Sequence, residues 1–304
     1  MSRTLKNQVL TMIHLLQRAN RTLKISLKAR PVHETEILQM LSACQETAVA
    51  IGNKFEKIYG EDTESVHKLE DYCECLYQLS SVLTDSKKSR ELLAQLTRQL
   101  RELHFLIGSQ ISDKWEALFL PYQSSMWSSM EKIWNVISAA ENFDTCFVPI
   151  PYYERNIDGT FGKYSYEGAN FPDDVPITYY ENYDLQDHWP DLIFTFDLYN
   201  QENSAYSIDP RFYSQILKES AEILIYVSSL TPEDLLSNSQ KVMDEAIYFC
   251  NTENLFRIKR VFVQSENIRQ IYLDTLVKKW GQTIGESWTQ KILCVDSFHP
   301  EMLL

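Results

Sequence analysis

Residues Arg257–Gly281, RIKRVFVQSENIRQIYLDTLVKKWG, decide the fold. RIKRVFVQS (Arg257–Ser265) reads as a strand and ENIRQIYLDTLVKKWG as the helix that follows it. The same unit recurs on either side. DLIFTFD (Asp191–Asp197) precedes a helix near PRFYSQILKES, AEILIYVSS (Ala221–Ser229) precedes a helix near DEAIYFCNTEN, and KILCVD (Lys291–Asp296) closes the series. Apolar strands without polar alternation, separated by helices, are buried on both faces, which predicts a parallel sheet covered by helices. Upstream, EALFLPY (Glu116–Tyr122) supplies a first strand and TCFVPIPY (Thr145–Tyr152) a second. Between them lies a helix with Ser124 and Ser125 as N-caps and Met126, Met130, Ile133, Trp134 and Ile137 on one face. The reading is an α/β chain with a doubly wound, mostly parallel, Rossmann-like sheet.

Before Trp115 the period is helical throughout. Leu5, Val9, Met12, Leu16, Ala19 and Leu23 form one stripe. A second follows Pro31, in Ile37, Leu41, Cys44, Ala48, Ile51, Phe55 and Ile58, and ends at Gly60. A third runs through Val66, Leu69, Cys73, Leu76 and Val82 or Leu83, and a fourth through Leu93, Leu96, Leu100, Leu103, Ile107 and Ile111. Four such helices close a bundle. The expected division is 1–112, a helical bundle, and 113–304, the α/β domain.

Charge divides at the same place. The chain of 304 residues carries a net charge of −13, yet residues 1–112 hold 15 Lys and Arg against 13 Asp and Glu, so the acidity lies in the remainder. An acidic α/β domain excludes a phosphate-tracking nucleic-acid surface there. Seven basic residues from Arg3 to Arg30 precede the first acid, Glu34. That start reads as the solvated face of a bundle helix, with a peripheral membrane-surface helix or a transit peptide as the alternatives. No apolar run reaches the ~20 residues of a membrane span, and the expected location is cytoplasmic, with association at the inner membrane face admitted by the basic helix. The six cysteines match no zinc or redox spacing and are expected as reduced, partly buried thiols. No metal or cofactor is expected; His14, His33, His67 and His104 read as core or surface residues, and the bundle as a scaffold or a homodimerisation element.

Between the second and third strands of this reading lies PIPYYERNIDGTFGKYSYEGANFP (Pro149–Pro172), and ten of the 42 residues Pro149–Pro190 are aromatic, twice the share in the whole chain. Ligands of such sheets bind beyond the carboxyl ends of strands, and tyrosine offers a ring face and a hydroxyl to a sugar or base. A self-packed Ω-loop with a site at its rim is the competing reading. Neither G-x-G-x-x-G, nor a P-loop, nor a G-x-S-x-G elbow is present, which lowers dinucleotide oxidoreductase, NTPase and serine hydrolase as candidates. PYQSSMW (Pro121–Trp127) and VQSE (Val263–Glu266) remain as helix starts at strand ends, the first of them a place where backbone N–H groups could hold a phosphate.

In order along the chain, EKIYGEDTESVHKLEDYCECLYQ (Glu56–Gln78), FLPYQSSMWSSMEKIW (Phe119–Trp134), VPIPYYERNIDGTFGKYSYEG (Val148–Gly168), PITYYENYD (Pro176–Asp184) and VFVQSENIRQIY (Val261–Tyr272) resemble the N-terminal half of the CDP-glycerol glycerophosphotransferase family, clostridial type. The resemblance implies one half of a two-domain GT-B fold, the acceptor side, with the CDP-linked donor held by a second domain and a histidine as base. Where the family shows a His-Asn-Pro-Tyr-like run this chain has Phe196, Asp197, Leu198 and Tyr199, and Asp209 takes the histidine position of Ser-Val-His-Pro. The chain stops near where the family enters its second domain. The expected function is therefore a non-catalytic or partner-dependent acceptor-side domain, binding a polyol or sugar-phosphate-like ligand or a protein partner. The alternatives are a glycerophosphotransferase of surface-polymer (teichoic acid) synthesis when a partner supplies the donor-binding domain, and an unrelated small-molecule enzyme. The candidate ligand contacts are Ser125 and Trp127 at the first helix start, Tyr152, Tyr153 and Glu167 in the tyrosine segment, and Gln264 with Ser265 at the later strand end.

Overall fold

The computed structural model describes residues 2–28, 33–111, 113–199, 203 and 205–303. The chain divides into two compact units, Met1–Asp113 and Lys114–Leu304. Pro31, where the spacing separates the first two helices, and Arg30 of the basic start lie outside the described residues.

The first unit is helical: α1 (Arg3–Ser26), α2 (Glu34–Tyr59), α3 (Glu64–Ser80) and α4 (Ser86–Gln110). Helix α1 packs on α2 and α4, and α3 packs on α2 and α4. Leu93, Leu96, Leu100, Leu103 and Ile107 of α4 are buried, as their spacing predicts. In α1 the buried positions include Ile13 and Asn20, where the spacing had pointed to Met12 and Ala19. The basic start of α1 is part of the packing: Lys6 is buried, and its ammonium donates to the Ile111 carbonyl (2.9 Å) and Asp113 Oδ1 (2.7 Å). Among the described residues no helix is long and apolar enough to cross a membrane.

The second unit is α/β. In chain order it contains β1 (Trp115–Leu120), α5 (Trp127–Ser138), β2 (Phe143–Phe147), β3 (Tyr152–Arg155), β4 (Phe161–Ser165), α6 (Leu185–His188), β5 (Leu192–Thr195), β6 (Tyr206–Ile208), α7 (Ser214–Ser220), β7 (Ile223–Val227), α8 (Pro232–Ser237), α9 (Ser239–Asn251), β8 (Arg260–Val263), α10 (Glu266–Trp280), α11 (Gln282–Trp288) and β9 (Ile292–Cys294). Six strands form one parallel sheet in the order β2-β1-β5-β7-β8-β9. The chain moves outward from β1 to β2, returns to β5 on the other side and then proceeds in one direction, so the strand order reverses between β1 and β5. Both sheet faces are covered: Phe262 of β8 joins one core cluster, with Phe119 and Phe194, while its neighbours Val261 and Val263 join another, with Phe249, Tyr272 and Trp288. The stack of Phe119 on Phe194 (4.3 Å between centroids, 2° between planes) ties β1 to β5 across the reversal.

The tyrosine segment differs from the sequence reading. The run Thr145–Tyr152 is divided between two sheets, because Pro149 and Pro151 interrupt backbone donation to a ladder. Downstream of the break, β3 pairs antiparallel with β4 and with β6, giving a second sheet in the order β4-β3-β6. The β3–β4 connection turns at Asn156–Gly159, where Gly159 has φ +81°, a conformation that glycine adopts without steric cost. Asp158 receives the Thr160 N–H and hydroxyl within this turn (3.0 and 2.7 Å).

Candidate functional site

In a doubly wound sheet the crevice for a ligand lies beyond the strand ends where the order reverses, here after β1 and β5. Much of that space is filled by the protein's own rings. Tyr122, two residues past β1, is buried and packs edge-on against Tyr152 (5.7 Å) and at a tilt against Tyr206 (6.3 Å). Burial, followed by the nearby Asp197 carboxylate, holds the Tyr122 phenol protonated well above its usual range. Past β5, Asp197 accepts the Tyr199 N–H (2.6 Å), and the Tyr199 hydroxyl donates to Glu245 Oε1 (2.7 Å). Tyr199 and Tyr226 are likewise kept protonated, chiefly by burial. Tyr199 is thus a core residue with both its N–H and its hydroxyl bonded.

The open space lies beside this plug, over the end of β2. Helix α5 is entered through a 3-10 turn, Ser124–Met126, so free backbone donors gather at Ser124. Glu167 occupies them: Oε2 accepts the Ser124 N–H (2.8 Å) and hydroxyl (2.9 Å), and Oε1 accepts the Tyr152 hydroxyl (2.7 Å). Partial burial pushes the Glu167 carboxyl up, but the bonds from Ser124 and Tyr152 together outweigh it and lower its pKa below the ordinary 4.5. A carboxylate of the chain itself thus sits where a phosphate would be held at a helix start.

Beside that contact, Ser124, Ser125, Trp127, Asn170, Phe171, Pro172 and Asp173 line a shallow cleft of about 460 Å³. Its floor is fixed by Phe147 at the end of β2, against which Trp127 (5.9 Å) and Phe171 (5.1 Å) both pack edge-on. The lining combines a half-buried indole, a proline and a buried phenyl ring with the exposed Ser125, Asn170 and Asp173. It offers hydroxyl, amide and carboxylate groups and, among the described residues, no cation.

Ser125, Trp127, Tyr152 and Glu167 are therefore brought together, with Ser124 as the joint. Tyr153 is not with them: one residue along β3 its ring lies against Phe161 (5.0 Å) and Tyr164 (5.6 Å), on the opposite face of the small sheet. Gln264 stands at the end of β8 and donates to the Ser129 carbonyl of α5 (2.7 Å), while Ser265 caps α10 by accepting the Ile268 N–H (3.3 Å). Both have structural work within the sheet-end region. Sequence reasoning did not name Asn170, Phe171, Pro172 and Asp173, which line the cleft at the rim of the loop. The loop is self-packed in large part, with Tyr166, Tyr179 and Tyr180 mutually in contact at 4.6–5.5 Å.

Asp209, which the sequence reading set against a histidine of the CDP-glycerol glycerophosphotransferase family, is committed to an ion pair. Asp209 is buried and accepts Arg211 Nε and Nη2 (both 3.1 Å) as well as the Arg211 N–H (2.9 Å). Its carboxylate raises the Arg211 pKa further, and the guanidinium lies over the Tyr180 ring (5.3 Å). His188 stacks on Tyr183 (4.2 Å) and faces Glu116 Oε1 (3.4 Å), near the amino end of β1 and away from the strand ends that border the cleft. Among the described residues no group of three His, Cys, Asp or Glu side chains is placed to hold a metal ion. No protein-family model, curated protein or solved structure matches this chain.

Proposed function

We propose that the α/β unit is an acceptor-side binding domain that holds a neutral polyol or the sugar or polyol part of a larger molecule in the cleft between Ser125 and Asp173. In this reading it performs no transfer by itself. The observation that carries the proposal is the carboxylate of Glu167 on the Ser124 donors: it takes the phosphate-ready helix start and leaves a cleft with an aromatic wall and uncharged or acidic polar groups. An indole beside hydroxyl, amide and carboxylate groups suits a ligand with apolar C–H faces and many hydroxyls. Anionic phosphates are disfavoured there by Asp173 and Glu167. The absence of transfer chemistry is supported by Asp209, whose bidentate pairing with Arg211 commits the carboxylate that stands in the histidine position. The resemblance of the quoted segments to the CDP-glycerol glycerophosphotransferase family supplies the substrate class, with a partner protein bringing any donor domain.

A titration of wild type, Trp127→Ala and Tyr153→Ala with glycerol, ribitol and simple sugars tests this reading. Saturable binding that is lost in Trp127→Ala and kept in Tyr153→Ala is the expected result. Equal binding by both variants removes the cleft as the site.

A further inference from the structure

The helical unit holds a second, unrelated cavity, of about 730 Å³, between α1 and the start of α4. That volume lies within the roughly 300–1,000 Å³ of small-molecule sites. Its lining is sorted by chemistry. Leu83 and Leu93 are buried at its wall, with Leu27 partly buried beside them, while Lys24, Lys28 and Arg90 carry the charge. Among the described residues no Asp or Glu lines it. Two acids adjoin the lining in sequence: Asp85 caps α4 and accepts the N–H groups of Lys87 and Lys88 (both 3.0 Å), and Glu91, next to Arg90, lines a different cavity with Lys88 and Arg98.

The second observation is Asn20. It lines the same cavity, is 4% exposed, and its Nδ2 has no hydrogen-bond partner among the described residues. Its oxygen is accounted for by the Tyr72 hydroxyl at 3.4 Å. A buried amide N–H₂ without an acceptor is costly, so beyond the Tyr72 contact of its oxygen the asparagine leaves a donor that an acceptor from outside would satisfy. The sequence reading treated position 19, not 20, as core, so this residue was not singled out.

We propose that this cavity is a binding site for a small amphiphilic anion, a phosphate or carboxylate head on an apolar body. The head meets Lys24, Lys28 and Arg90 and accepts from Asn20 Nδ2, and the body lies along Leu83 and Leu93. The site is distinct from the α/β cleft, for which a neutral ligand is proposed.

The test uses the full chain in isothermal titration calorimetry with decyl phosphate and decanoate, set against decanol and inorganic phosphate. One saturable site for the anionic amphiphiles is expected, with decanol and inorganic phosphate each at least about tenfold weaker, since charge-assisted hydrogen bonds and apolar burial are both required. The doubly neutralised variant Lys24→Gln/Arg90→Gln, whose altered residues are on the surface and whose folding is checked by far-UV circular dichroism, is expected to lose at least about tenfold in affinity for decyl phosphate. Co-sedimentation with phosphatidylglycerol vesicles, competed by decyl phosphate, separates the sources: competed binding assigns the head to a membrane lipid, and no vesicle binding assigns it to a free anion. Equal affinity for decanol, unchanged affinity in the variant, or no saturable site for either anionic amphiphile overturns the proposal.

Discussion

Replacing Glu167 by alanine removes the acceptor of three hydrogen bonds: those from the Ser124 N–H, the Ser124 hydroxyl and the Tyr152 hydroxyl. Bonds to a charged group are worth about 1.5–3 kcal/mol when well buried. Glu167 is half-buried, so solvent competes and each bond is worth less. Loss of a cap at a helix start alone costs about 1 kcal/mol, and with the Tyr152 contact the expected destabilisation is about 2 kcal/mol. For a unit of this size that lowers Tm by roughly 4–8 °C. All six tryptophans, at 115, 127, 134, 189, 280 and 288, lie in the α/β unit, so unfolding followed by tryptophan fluorescence isolates the unit that carries the change. Glu167→Gln adds a pH signature. The folded-state pKa of Glu167 lies below the unfolded value of about 4.5, so its contribution is complete above that value and is lost as pH falls through the folded pKa. The stability gap between wild type and Glu167→Gln is therefore constant from neutral pH down to about 5 and closes below 4.5. A Glu167→Ala protein within about 0.3 kcal/mol of wild type at neutral pH, or a gap that does not change on acidification, refutes the reasoning.

Three further outcomes follow from the packing. Gly285→Ala places a methyl 2.2 Å from Val277 Cγ2 and 3.3 Å from its Cα; overpacking of this kind between α10 and α11 costs about 1–3 kcal/mol, measured by the same fluorescence transition. Phe119→Ala removes the ring stacked on Phe194 and edge-on to Trp134 and is expected to cost about 3–5 kcal/mol, read in a urea titration. Cys75 and Cys250 are buried, with burial pushing their thiols up to about 11 and about 12; in the native protein a thiol reagent at pH 8 should reach neither, while the partly exposed Cys73 and Cys146 react first. Rapid labelling of Cys250 before unfolding contradicts that placement.

The parallel sheet was legible because its strands are buried on both faces and so lack polar alternation: Ile193, Phe194, Leu224 and Ile225 are all inaccessible. The long helices were legible from spacing, yet a one-residue error in α1 exchanged Ala19 for Asn20 and hid the buried amide that lines the cavity of the helical unit. The second sheet was not legible. Its strands are three to five residues long, β3 begins directly after Pro151, and β6 lies some fifty residues downstream, so neither length nor alternation signals it. Within the candidate site, Ser125, Trp127, Tyr152 and Glu167 were readable as residues near strand ends. Their joint was not, since Glu167 reaches Ser124 across 43 residues of chain. The facing of Tyr153 away from Tyr152 follows from strand alternation, which is invisible while the segment reads as a loop. Gln264 and Ser265 illustrate the opposite problem: a strand-end position is shared by ligand contacts and by residues that tie the strand end to a helix or cap the helix that follows, and only the partners of the side chains separate them.

The most direct test of the acceptor-side reading is thermal unfolding of the full chain, followed by tryptophan fluorescence, in the presence of glycerol, ribitol, simple sugars, CMP and CDP-glycerol. A ligand held only by the native state at 100 times its Kd adds about 2.7 kcal/mol, roughly 5–10 °C for the α/β unit. The account predicts a rise of that order with a polyol or sugar, abolished by Trp127→Ala, and no rise with CMP. A rise with CMP or CDP-glycerol that Trp127→Ala leaves intact contradicts it, because the chain would then hold a nucleotide donor at a place other than this cleft.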